Sequence, residues 1–98
     1  MANEYTKFNA GTPDNETVAD TSTLIVTGND LIKFVFLRNE STTTALWLSV
    51  GVAAERNKGI YLKALEGYEF NETNLASGNI YGIAESGGTA LVSFFTGQ

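Results

Sequence analysis

With neither histidine nor cysteine in the sequence, the Ser-His-Asp and Cys-His arrangements and the imidazole or thiolate zinc sites have no residues to build them. Carboxylate chemistry is what remains. A glycosidase sets two carboxylates about 5 to 10 Å apart across a cleft, and Glu66 with Glu69, or Glu55 with Glu85, are the pairs that could do so. Nothing in their spacing requires it, and a chain of 98 residues has little room for a deep cleft. Asp14-Asn15-Glu16 and Asn29-Asp30 are rich in oxygen, yet neither follows the alternating Asp-x-Asp-x-Asp-Gly spacing of a calcium loop. Gly78, Gly82, Gly87 and Gly88 lie in or beside strand-like segments, with no helix after them to offer amides to a phosphate. Turns, caps and tight packing account for all of these residues. The chain reads as a binding protein that is no enzyme and needs no metal or cofactor.

Eleven acidic residues against six basic ones give a net charge of −5. The basic residues form no run, so the clustered cations that release counterions from nucleic acid are missing, and anionic membranes are disfavoured in the same way. The first ten residues include Asn3, Glu4, Thr6 and Lys7 and hold no apolar core of a secretory leader. No apolar stretch approaches the roughly 20 residues that cross a bilayer as a helix. Without cysteine there is no disulfide framework. The expectation is a protein made in a reducing cytoplasm, where the Asn-x-Ser/Thr triplets at Asn15, Asn39 and Asn71 carry no glycan.

Helical periodicity is weak everywhere, and β-branched and aromatic runs alternate with Gly, Asn, Asp and Ser clusters about every 8 to 12 residues. Strands are expected over 22–27, 31–39, 44–51, 59–64, 66–71, 79–85 and 88–95, with 51–55 a loop or a single helical turn. Short connections point to antiparallel hairpins. The fold expected is all-β: an antiparallel β-sandwich, jelly-roll-like, of about seven to eight strands over residues 21–98. Residues 1–20 read as an extended N-terminal arm, with a turn at Gly11-Thr12-Pro13-Asp14-Asn15.

A sandwich strand wetted on one side alternates apolar and polar residues. Several segments here do not. Val35 and Leu37 fill one parity of 31–39 while Phe34 and Phe36 fill the other; Trp47 opposes Leu46 and Leu48, and Leu91-Val92-Ser93-Phe94-Phe95 is apolar on both sides. A single sandwich has one interior, so the second face needs a cover: the arm, a neighbouring copy or another protein. Phe34, Phe36, Trp47, Phe94 and Phe95, with Tyr5 and Phe8 on the arm, are the candidate protein-interface residues. The competing reading is a carbohydrate-binding module that stacks sugars on Trp47, Tyr61, Tyr68 and Tyr81.

The order Asn39-Glu40-Ser41, Gly51-Val52-Ala53-Ala54, Gly59-Ile60-Tyr61-Leu62, Tyr68-Glu69-Phe70 and Gly78-Asn79-Ile80-Tyr81-Gly82-Ile83-Ala84-Glu85-Ser86-Gly87 resembles a family of small structural proteins of tailed bacteriophages. The resemblance covers residues 31–95. It implies a β-sandwich attached to the virion as a capsid decoration (cement) protein or the base domain of a head fibre. On that likeness the partners are the major capsid protein and other virion subunits, a homotrimer is one arrangement, and the place is the outer capsid surface. A neck or tail accessory role shares the fold.

Overall fold

Eight strands run through the structure, a computed structural model that describes residues 11–28, 32–71 and 78–97. In chain order they are β1 (Gly11–Val18), β2 (Thr23–Val26), β3 (Phe34–Asn39), β4 (Leu46–Val50), β5 (Ile60–Leu62), β6 (Gly67–Phe70), β7 (Ile80–Ala84) and β8 (Ala90–Gly97). One antiparallel sheet has the order β1-β8-β3-β6 and the other β2-β7-β4-β5. β1 pairs with β8, β2 with β7, β3 with β6 and β4 with β5. That nesting is one long antiparallel ribbon rolled so that its strands are shared between two sheets, the jelly-roll arrangement. The all-β sandwich is the fold of this chain, and each of the seven expected strands is present.

Two expectations change. Gly11–Val18 is neither arm nor turn: it is a strand registered against β8 from Gly11↔Gly97 to Val18↔Ala90, so the sandwich begins by Gly11 rather than at residue 21. Eight pairings along one strand outweigh the turn preference of Pro13-Asp14-Asn15, since local propensity yields to tertiary pairing. The rest of the expected arm, residues 1–10, lies outside the described residues. The short connections also make fewer hairpins than expected. Among consecutive strands only β4 and β5 are hydrogen-bonded to each other, because a short link spans the roughly 10 Å between packed sheets as readily as it turns within one. Residues 51–59 contain no helix.

Alternate residues of the two sheets meet in the middle. Val35, Leu37, Val92 and Val18 from the first sheet and Leu46, Leu48, Leu62 and Ile80 from the second are almost wholly buried, and Phe94 and Tyr68 pack against this cluster. Among the described residues one buried side chain is polar. Asn39, at the end of β3, is fully enclosed; its Nδ2 donates to the carbonyl oxygens of Thr44 (2.8 Å), Lys63 (3.1 Å) and Leu62 (3.4 Å), and its Oδ1 accepts from Ser41 N at 3.0 Å. Thr44 leads into β4 and Leu62 ends β5, so one amide of the first sheet satisfies backbone of the second. The adjoining turn is held by Glu66, whose Oε1 accepts from Lys63 N at 2.8 Å while Leu65 sits at φ 65°.

Asn39→Leu keeps the volume of the side chain but leaves buried carbonyls and an amide without partners. At about 1 to 3 kcal/mol for each strongly desolvated group, a net loss of about 3 to 5 kcal/mol is expected in urea unfolding.

Candidate functional site

The outer face of the first sheet follows directly from register. Seating Val35, Leu37 and Asn39 inside sends Phe34, Phe36 and Arg38 outward, and the pairing Phe36↔Phe95 sets two rings side by side on neighbouring strands. Phe95 lies opposite Pro13 on its other side, and Leu91 shares its parity further along β8. Phe36 is 42% exposed, Phe95 40% and Leu91 43%, high values for large apolar side chains in the middle of a sheet.

Two glycines shape this face. A Cβ on Gly67 would meet the Phe36 ring at 2.8 Å, and one on Gly97 would run into the Phe34 ring. The rings therefore lie down over glycine backbone instead of standing up, which is how cross-strand aromatics cover glycine in a sheet. Phe34 and Phe95 also contact each other, with centroids 6.1 Å apart. The result is a low apolar strip. A polar row separates the rings from Leu91: Glu40 Oε2 accepts from Ser93 Oγ at 2.6 Å, Arg38 Nη1 stands 4.0 Å from Glu40 Oε1, and Arg38 Nε donates to Leu65 O at 3.3 Å.

The second sheet also has an apolar outer face, but its own chain covers much of it. Ile83 pairs with Trp47 on the outward parity and is still only 7% exposed. Residues 51–59, between β4 and β5, fold back over it. Ala54 N donates to Ser22 Oγ at 2.9 Å, and Arg56 Nη1 donates to the carbonyls of Asp20 (2.8 Å) and Ala84 (3.4 Å), at the far end of β7 from where the loop leaves. The cleft left between this loop and Ser49 holds about 130 Å³, well below the roughly 300 Å³ at which small-molecule pockets begin.

The expected interface residues thus separate. Phe34, Phe36 and Phe95 come together on the first sheet. Phe94 does not join them, since its parity turns it inward against the core; a run apolar on both sides hides which member faces which way until the register is set. Trp47 lies on the opposite side of the sandwich, half-buried beside Tyr61 at 5.3 Å with ring planes 45° apart. Tyr5 and Phe8 fall outside the described residues. Pro13 belongs to the strip and had no sequence signal, because its segment resembles a turn; Leu91 shares the outward parity of Phe95 but stands beyond the Ser93 row.

The four rings of the sugar-binding reading do not form one groove. Tyr61 and Tyr81 face outward from the second sheet, whereas Tyr68 faces inward from the first and packs edge-on to Phe70 at 5.0 Å. The candidate carboxylate pairs are divided among local tasks as well. Glu66 caps a turn, Glu85 Oε1 accepts from Ala45 N at 3.0 Å, Glu55 Oε1 pairs with Lys58 Nζ at 3.1 Å, and Glu69 stands beside Phe36 on the outer face. Among the described residues no three acidic side chains gather as a metal site.

Because the Trp47 ring is half-buried over Ile83 and Tyr61, Trp47→Ala is expected to cost about 2 kcal/mol by thermal or urea unfolding, below the 3 to 5 typical of a fully enclosed ring. No protein-family model matches this chain, and a search of curated proteins finds no match.

Proposed function

We propose that this chain is a capsid decoration protein that docks on the outer surface of an assembled phage head and steadies it by bridging neighbouring subunits of the major capsid protein. The observation that carries the reading is the uncovered pair of Phe36 and Phe95, flanked by Phe34 and Pro13. Exposed contiguous apolar surface on a small domain marks a place where another protein sits. The motif order over residues 31–95 supplies the phage context. The jelly-roll fold supports it by analogy, since that fold builds capsid and lectin domains alike.

Magnitudes shape the mode of binding. A four-stranded face seven residues long covers about 450 Å², from spacings of about 4.8 Å between strands and 3.4 Å along them. A standard interface takes about 800 Å² from each partner. The strip alone therefore gives weak attachment, and firm decoration needs further contacts or several copies held together at a symmetry axis, as in a homotrimer. Binding only to the assembled shell then stabilises it by mass action. A neck or tail position uses the same face on a different partner.

The test is co-sedimentation of the purified chain with heads and, separately, with tails of the phage that encodes it. The chain should pellet with heads, and Phe36→Ser combined with Phe95→Ser should weaken that binding by about a hundredfold, given about 1.5 kcal/mol for each half-buried ring lost. Pelleting with tails alone moves the site to the tail. Retention in the supernatant with both, at concentrations that saturate the chain's own solubility, overturns the reading.

A further inference from the structure

We infer that β1 is a sheet edge closed to strand addition, so that on this side of the first sheet a partner can dock only across the outer face. The inference concerns backbone groups and stands apart from the identity of the partner. β1 is an outermost strand of its sheet and is eight residues long. An edge of that length, if its amides and carbonyls were free, would be a template for a strand from another protein or from a second copy.

Which groups face outward can be read from β8. Lys33 N donates to Gly97 O at 2.7 Å and Glu40 N donates to Leu91 O at 2.8 Å, so the odd-numbered residues of β8 turn their backbone toward β3. Its even-numbered residues then turn toward β1, where Ala90, Val92, Phe94 and Thr96 meet Val18, Glu16, Asp14 and Thr12. Gly11, Pro13, Asn15 and Thr17 are left with their backbone groups directed out of the sheet.

That outward row is broken in its middle. Pro13 has no N–H to give. Asn15 N already donates to Asp14 Oδ1 at 2.8 Å. An added strand draws on a donor at every second residue, and two successive ones are gone. Asp14 and Glu16 add a third obstacle: they share the parity of the buried Val18, and carboxylates at inward positions of an edge strand make its burial under a neighbour costly. The same residues explain why a paired strand carries the sequence of a turn, because residues that break turns out of strands also break edges.

The test is sedimentation velocity of the full chain with Pro13→Val and Asp14→Ser combined, which restores both donors. The double variant should self-associate at about a tenfold lower concentration than the native chain, and adding Phe36→Ser should leave that association in place. Sedimentation that superimposes on the native chain, or association that Phe36→Ser abolishes, overturns the inference. Amide exchange of the single variant Asp14→Ala, at an exposed position, gives a reading that does not depend on the double variant folding. The Asn15 amide should exchange about tenfold faster while the Glu16 amide, bonded to β8, keeps its rate; an unchanged Asn15 amide counts equally against it.

Discussion

The two sheets of this sandwich share no hydrogen-bonded strand, and at one end the amide of Asn39 does the joining. Its side chain reaches from β3 to the backbone before β4 and after β5, and every one of its polar atoms is satisfied. A buried amide with partners both in the link before β4 and at the end of β5 favours one register. That register decides the functional surface too. Strand side chains alternate, so holding Asn39 inside holds Val35 and Leu37 inside with it, and Phe34, Phe36 and Arg38 have no face left but the outer one.

The apolar surplus on the outward parity is handled differently by the two sheets. On the second, residues 51–59 return across the face and are pinned by Ala54 and Arg56 to backbone and hydroxyl groups at the start of β2 and the end of β7. On the first, the rings of Phe34 and Phe36 lie over glycines of neighbouring strands, which shelters one side of each ring and leaves the other to solvent. One face is thereby covered in its middle by its own chain, with Leu24 and Tyr61 exposed on its edge strands, and the other is left as a flat strip beside a polar cluster of Arg38, Glu40 and Ser93. An apolar centre with a polar margin is the ordinary anatomy of a protein-binding surface. The guarded edge at β1 is consistent with this division, since it removes strand addition on that side and leaves the face beside it open.

Much of this protein was legible in the residue order. Alternation of β-branched runs with turn clusters determined the all-β class and seven of the eight strands, because period and turn chemistry are local properties. The surplus of Phe and Leu on both parities announced a second apolar face. Which face stays open was not legible, because parity says only that two side chains oppose each other and not which one meets the other sheet. Phe94 and Phe95 are neighbours of the same type, and only the pairing of β8 with β3 sends one to the core and the other to solvent. β1 was hidden for a related reason: its Pro13-Asp14-Asn15 carries a turn's composition, and eight backbone pairings to a strand more than seventy residues away in sequence are a tertiary fact that no local window contains. The covering of Ile83 by residues 51–59 is of the same kind, since it depends on hydrogen bonds from Arg56 to Asp20 and Ala84 that exist only once the sheets are assembled.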